Sequence, residues 1–375
     1  MINEMPSPAP PAGQAPDRQP EQTKVLRIAV YPGDGIGVEV IDQAWRVLEE
    51  AQARCGGFRL EGERMPWGAD YFMKHGCVAP PDMLDRLASY DAILLGALGD
   101  PARLPDGVTL EPLVRIRQGF DQFACVRPSR LLPGVAAPLG RRPLIDLVVV
   151  RENTEGEYVS CGGRFREGLE GEIALETAVH TRAGIERVLR VGFNLARRRR
   201  RRLTMVTKSN ALRHGMALWD ECLEAVRADY PEVAADRQHA DAAAMNLVRA
   251  PERFDVLVAS NLFGDLLSDL AAAITGGLGL APSANLDPSR RHPSMFEPVH
   301  GSAPDIAGRG LANPAAAILS GAMMLGWLGC AAAGHAIEAA IERALDAGHR
   351  TQDLGGTLST AEMADRIIEN LAGPP

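Results

Sequence analysis

Three arginines pose the first chemical question about this 375-residue chain. Arg117 and Arg127 lie ten residues apart in RQGFDQFACVRP, and Arg151 follows the apolar run LIDLVVV. A guanidinium presents a planar fork of N–H donors that grips a carboxylate through two bonds and does not deprotonate. Three such forks can hold a di-acid. Taken singly, each reads more readily as a surface arginine, because 37 of the 40 basic residues are arginines.

Polar residues gather directly after Arg151. The segment Arg151-Glu-Asn-Thr-Glu-Gly-Glu-Tyr158 carries three carboxylates, one glycine and a terminal tyrosine. That density suits a site-lining loop in which Tyr158 bonds a substrate or relays a proton, or else a solvated loop with a partly packed ring. Thr207-Lys208-Ser209-Asn210 follows another apolar run, LTMVT. A lysine at the end of a buried strand is partly desolvated, which favours the neutral amine that a base needs. In a chain that otherwise writes its basic residues as arginine, Lys208 points to a task arginine cannot do. Asp265 and Asp269 share one face of a helix start in SNLFGDLLSD. Like charges at that spacing repel unless a cation lies between them, and oxygen-only ligands suit Mg²⁺ or Mn²⁺. The plainer alternative is a pair of aspartates favoured by the helix dipole. Gly33-Asp34-Gly35-Ile36-Gly37 lacks the third glycine of a dinucleotide fingerprint, since position 38 is Val38. It signals either a tight turn or a close backbone approach.

The elements that position these residues alternate. Val25–Tyr31, Ala92–Gly96, Leu144–Val150, Leu203–Thr207 and Phe254–Ser260 read as buried strands. Val38–Arg54 reads as a helix with Val38, Ile41, Ala44, Trp45 and Leu48 on one face. Ala315–Met324 and Ala336–Ala347 read as helices near the C-terminus. Continuous apolar strands between amphipathic helices predict a parallel-type α/β sheet covered on both faces. Arg197–Arg202 is a run of six arginines, read as a solvated helix end or a phosphate patch, the former favoured in an acidic chain. Residues 1–22 hold six prolines and almost no large apolar side chains, so a disordered tail over 1–24 is expected.

Composition narrows the functional class. Hydrophobic residues make up 46% and charged residues 23%, as in an ordinary globular protein. The net charge of −8 argues against a nucleic-acid-coating surface. Six cysteines without CxxC spacing read as reduced, mostly buried thiols. No apolar stretch is long enough for a membrane span and no secretory signal is evident, so a cytoplasmic location is expected.

In order and spacing, Gly33–Gly37, Arg117 to Arg127, RENTEGEY, TKSN, SNLFGDLLSD and EPVHGSAPDIAGRGLANP resemble the β-decarboxylating dehydrogenases. That family includes isocitrate, isopropylmalate and tartrate/D-malate dehydrogenases, and the chain looks most similar to the tartrate/D-malate branch. The resemblance covers about Val25 to Leu371. It implies an α/β, isopropylmalate-dehydrogenase-like fold: two α/β domains with an interdomain active-site cleft, not a true Rossmann fold. Residues 25–122 plus 277–375 would form the cofactor-side domain, and 123–276 the substrate and dimerisation domain. It further implies that Arg117, Arg127 and Arg151 clamp a malate-type di-acid. Asp241, Asp265 and Asp269 would bind Mg²⁺ or Mn²⁺, and Tyr158, Lys208 and Asp241 would be catalytic. Lys208 and Asp241 would reach the site from the second subunit of an obligate homodimer. Glu297, His300, Gly301, Ser302, Ala303, Asp305 and Asn313 would bind the cofactor. An acid at Asp305 would repel the extra phosphate of NADP, which favours NAD. A monovalent cation is a possible further requirement.

Two departures bear on specificity. Cys125 stands where many members of the family carry Asn beside the clamp arginine, which removes an amide's hydrogen-bonding groups. Leu110, Leu113 and Val114 precede Arg117 with apolar side chains that also suit an alkylmalate such as isopropylmalate. A catalytically silent regulatory subunit is the alternative from another class, and retention of the lysine, tyrosine and aspartates argues against it.

Overall fold

The computed structural model describes residues 23–372. Most of the expected proline-rich tail lies outside the described residues. Lys24, assigned to that tail, is instead the first residue of β1 (Lys24–Gly33), and its Nζ donates to Leu328 O at 2.7 Å.

The expected apolar runs form strands. These are β1, β3 (Ala92–Ala97), β5 (Asp146–Glu152), β8 (Arg202–Thr207) and β10 (Val256–Ala259), with β3 and β10 buried throughout. Further strands are β2 (Phe58–Arg64), β4 (Ala124–Arg130), β6 (Gly162–Phe165), β7 (Ile173–Glu176), β9 (Ala234–His239), β11 (Pro282–Leu286) and β12 (Ser294–Pro298). Ten of the twelve make one sheet in the order β2-β1-β3-β12-β11-β4-β5-β10-β8-β9, while β6 and β7 pair separately.

The sheet is mostly parallel, as expected, with an antiparallel patch at its middle. The pairs β4–β5, β4–β11 and β11–β12 are antiparallel. The short connection between β11 and β12 leaves no room for a crossover helix, so that pair must reverse. Fully buried Asp287 holds this connection by accepting from the backbone N–H groups of Ser289, Arg291 and His292. The division expected near residues 123 and 277 falls between β11 and β4, which are hydrogen-bonded neighbours.

Helices cover both faces. Leu26, Ile28 and Val30 of β1 join one core with the helices Ile36–Cys55, Ala315–Trp327 and Ala331–Asp346. Ala29 and Tyr31 point the other way into a second core with Ile116 of the helix Glu111–Gly119, as the period-2 alternation of a strand requires. A third core under β5 and β10 holds Leu247 of the helix Ala240–Arg249 and Leu267 of the helix Asn261–Ile274. In the helix Ile36–Cys55 the buried stripe is Val40, Ile41, Ala44, Val47, Leu48 and Ala51. Val38, expected on that stripe, is 44% exposed, and Trp45, seven residues on, is only partly buried on the same flank.

All six cysteines are free, but only Cys125 and Cys222 are buried and Cys161 is exposed, so "mostly buried" does not hold. No helix among the described residues is long and apolar enough to cross a membrane.

The arginine run is an internal fastener rather than a solvated end alone. Arg197 closes the helix Arg182–Arg197. Arg199 then turns inward, donating through Nε to the fully buried Asp255 at 2.8 Å and through a terminal nitrogen to Asp146 at 2.9 Å. The backbone N–H groups of Arg200 and Arg202 also donate to Asp255. One buried carboxylate thus ties the helix end to β5, β8 and β10. Asp255→Ala strands a buried guanidinium and two backbone donors, so we expect it to cost about 3–5 kcal/mol in chemical denaturation. Arg198→Ala, at an exposed position in the same run, should stay within about 0.5 kcal/mol.

Candidate active site

The expected site residues come from strand ends and from the loops that follow them. The glycine turn after β1 resolves as a close approach. Gly33 and Gly35 have φ of 71° and 55°, in the left-handed region that favours glycine. A Cβ on Gly35 would sit 2.1 Å from the carbonyl oxygen of Ser302, and the N–H of Ile36 donates to that same oxygen at 2.8 Å. Asp34 is buried and accepts from the N–H groups of Ala69 and Gly99. The turn therefore presses on the segment 297–313, which explains its glycines without a ligand.

That segment offers its own polar atoms. Burial pushes the His300 imidazole below its usual pKa, which keeps it neutral. Its Nδ1 faces Gly301 O at 3.0 Å, while the buried Nε2 has no partner among the described residues. Gly301 is exposed and a Cβ there would meet nothing, Ser302 is buried, and Ala303 has φ 39°. Asp305 is exposed. Asn313 accepts from Ala315 N at 3.0 Å and donates to Asp353 Oδ2 at 3.1 Å. Glu297 does something else: its Oε1 accepts from Arg117 at 2.7 Å and from Asn285 at 2.8 Å. It joins the cofactor segment to the arginine cluster.

Arg117, Arg127 and Arg151 are all buried, at 6%, 6% and 1% exposure. Register aligns their supports across the sheet: Glu297 pairs with Ser283, Asn285 with Cys125, Cys125 with Arg151, and Arg151 with Ala259. Arg127 donates to Asp265 Oδ1 at 3.1 Å and to Ser268 Oγ at 2.7 Å, and lies 3.6 Å from Asp269. Arg151 pairs with the same Asp265 oxygen. Tyr158 donates to Asp265 Oδ2 at 3.2 Å, with the Arg151 guanidinium 5.5 Å from its ring centre. Asp265 lies in the second turn of its helix, since Ser260 is the N-cap, so ion pairing rather than the helix end explains it.

Electrostatics follow from this crowding. Burial raises the pKa of Asp265, but Arg151, Arg127 and Arg117 outweigh it and hold the carboxyl below its usual range. Burial pushes Asp269 up. Burial, with Arg117 and Arg127 adding repulsion, lowers Arg151 to about 10, still cationic at neutral pH. Burial and the Asp265 charge raise Tyr158, so its phenol keeps its proton. Three cations thus face three carboxylates, Glu297, Asp265 and Asp269, beside a protonated phenol, and the charges of the cluster balance.

Lys208 and Asp241 form a separate pair. Thr207 on β8 lies in register with His239 on β9, so the residues that follow both strands come together. Lys208 Nζ donates to Asp241 Oδ1 at 2.7 Å, and this bond holds the Asp241 carboxyl below its usual range. Asp241 does not join Asp265 and Asp269 within the chain. Among the described residues no cluster of three His, Cys, Asp or Glu side chains is placed to hold a metal.

The polar loop after β5 largely binds itself. Glu152 accepts from Thr154 and Glu155 backbone N–H groups, and Glu155 accepts from Thr181. Tyr158 is the residue it delivers to the cluster. Sequence reasoning passed over Asn261, Ser268, Ser283, Asn285 and Asp353. Asn261 and Ser268 stood inside the SNLFGDLLSD motif, while Ser283 and Asn285 lie on a strand that is not an apolar run. Cys125 Sγ lies 3.4 Å from Ser283 Oγ and makes no bond to an arginine side chain.

Comparison with known proteins agrees with this geometry. Residues 27–367 match the family described as isocitrate/isopropylmalate dehydrogenase. The chain is 50% identical over 356 residues to D-malate dehydrogenase [decarboxylating] of Escherichia coli (strain K12), covering 92% of this chain and 98% of that protein. It is 48% identical over 358 residues to tartrate dehydrogenase/decarboxylase of Pseudomonas putida, with the same coverage. The crystal structure of isocitrate dehydrogenase from Methylococcus capsulatus superimposes with a TM-score of 0.84 at 37% identity, covering 92% of this chain and 99% of that one. The chain belongs to the isocitrate/isopropylmalate dehydrogenase family and is an oxidoreductase acting on CH–OH groups.

Proposed function

We propose that this enzyme oxidises a malate-type 2-hydroxy di-acid, D-malate or tartrate, with NAD, and that D-malate loses CO₂ to give pyruvate. The observation that carries this reading is the convergence of buried Arg117, Arg127 and Arg151 with Asp265 and Tyr158. The similarity to relatives named for D-malate and tartrate supports the choice of acid. The exposed apolar Leu110 favours an alkylmalate as the second reading.

The residues fit both expected cofactors. The orphaned His300 Nε2 and the uncrowded Gly301 suit a dinucleotide along 297–313, with Ser302, Ala303, Asp305 and Asn313 beside it and Glu297 at its inner end. Asp265 and Asp269, with Asp241 of a second copy, give the all-oxygen donor set that suits Mg²⁺ or Mn²⁺. When bound, the nicotinamide accepts hydride and the cation withdraws electrons from the new ketone.

The protein's own residues do the rest. The arginines hold both carboxylates. Lys208 in its neutral form, oriented by Asp241, takes the hydroxyl proton as the C–H hydrogen leaves as hydride. The bond to the β-carboxylate then breaks, CO₂ departs and its electron pair stays on the adjacent carbon. Tyr158, protonated and aimed into the cluster, delivers a proton to that carbon.

Two copies are needed for a complete site. Lys208 and Asp241 lie apart from Asp265 within one chain. Apolar surface is also left open: Phe165, Ile173 and Leu175 of the β6–β7 hairpin are 51–55% exposed, and Leu266 is 61% exposed. A homodimer with shared sites covers this surface and brings the two halves together.

NADH formation against D-malate, L- and meso-tartrate, isopropylmalate and isocitrate, with Mn²⁺ present, tests the reading. D-malate or tartrate should be turned over best, and chelation by EDTA should abolish activity. No turnover of any acid, or a preference for isopropylmalate, contradicts it. Lys208→Arg keeps the charge but cannot release the proton, so kcat should fall about 100-fold or more. Near-normal kcat would remove Lys208 from proton transfer. Co-refolding the inactive variants Lys208→Arg and Asp265→Asn should restore activity, since a hybrid dimer holds one intact site. A mixture that stays inactive contradicts the shared site.

A further inference from the structure

We propose that Asn261 is a positioning residue that aims Arg151 at the substrate, an inference that rests on the di-acid reading above. Asn261 is 2% exposed and is the first residue of the helix that carries Asp265 and Asp269. Its Oδ1 accepts from Arg151 Nε at 2.9 Å and from Arg151 Nη2 at 2.6 Å. Those two donors form one side of the guanidinium plane. The terminal edge, built from Nη1 and Nη2, is the guanidinium's other bidentate edge, and there Nη1 meets Asp265. A guanidinium has two edges that can grip a carboxylate bidentately. Asn261 fills the side edge with a neutral oxygen, so only the terminal edge is offered to an anion.

The surroundings lock this arrangement. Asn261 Nδ2 donates to Glu155 O at 2.8 Å, which fixes the amide's orientation and ties the Tyr158 loop to the helix start. A Cβ on Gly156, at φ 82°, would lie 2.9 Å from Asn261 Cβ. A Cβ on Gly264 would lie 2.6 Å from Arg151 Cβ. Gly156 thus lets the loop close on Asn261, and Gly264 lets the helix close on Arg151. Asp265 is a poor substitute for Asn261, because its side chain is 31% exposed and, under the proposed function, is needed as a cation ligand. Asn261 is the neutral partner that holds Arg151 in place once Asp265 is engaged elsewhere.

Removing the amide leaves two buried donors unpaired and the guanidinium free to turn. Asn261→Ala should raise the KM for D-malate roughly ten- to hundredfold, with a smaller fall in kcat and little change in the KM for NAD. Asn261→Asp keeps an oxygen against both donors but sets its second oxygen against the Glu155 carbonyl and adds a charge beside Arg151, so its KM should rise as well, by less than in Asn261→Ala. In an Arg151→Lys background there is no side edge to fill, and Asn261→Ala should then add no further rise. If Arg151→Lys turns over too slowly to assay, the calorimetric dissociation constant of D-malate replaces KM. If Asn261→Ala does not fold, Asn261→Ser, whose hydroxyl cannot span both donors, takes its place. An unchanged KM, or an equal rise in both backgrounds, overturns the proposal. Failure of the unmodified enzyme to turn over any di-acid is a different result and sinks the proposed function instead.

Discussion

Three arginines buried within one cluster are the constraint on which the rest of this structure depends. A guanidinium out of water is costly unless it is paired and hydrogen-bonded, and removing one partner of a buried pair costs about 3–5 kcal/mol. Each arginine here has a distinct answer to that cost. Arg117 leans on Glu297, Arg127 on Ser268 and Asp265, and Arg151 on Asn261 and Asp265. The supports come from β11, β12 and the helix Asn261–Ile274, which explains why a ten-stranded sheet carries polar side chains along its middle strands.

Charge balance also gives the pocket its chemistry. Glu297 matches Arg117, while Asp265 is shared between Arg127 and Arg151 and touches Tyr158. Asp265 is thus the carboxylate nearest the place where a substrate carboxylate would bind. The same arrangement keeps the Tyr158 phenol protonated and Asp265 ionised. Glu297 lies in the segment proposed to bind the dinucleotide and yet contacts a proposed substrate arginine, so the two binding regions meet at one side chain.

Much of this was legible in the sequence because chemistry and strand ends coincide. Arg151, Lys208 and the helix of Asp265 each follow an apolar β-branched run, and the pairing of β5 with β10 brings Arg151 to the start of that helix, while Lys208 meets Asp241 elsewhere. Strands β11 and β12 were illegible for the opposite reason. Ser283, Asn285 and Glu297 break any apolar pattern, and they sit in the sheet because they serve the arginines. The same polar insertion explains the missed antiparallel pairings. Val38 was misplaced because it lies on the flank of its helix stripe rather than its centre, and the inward turn of Arg199 within an otherwise solvated run was hidden because its partner, Asp255, is distant in sequence. Asn261 was hidden by its neighbours: the two aspartates of its motif carry charge and drew the reading.

Under the proposed function, Asp265 occupies the terminal edge of Arg151 only until a di-acid takes it. A crystal structure with D-malate and Mn²⁺ tests this most directly. The predicted result is a substrate carboxylate on the terminal edge of Arg151, Asp265 turned away from it, and Asn261 still bonded to the side edge. Arg151 still paired with Asp265, with the di-acid bound elsewhere, would contradict it.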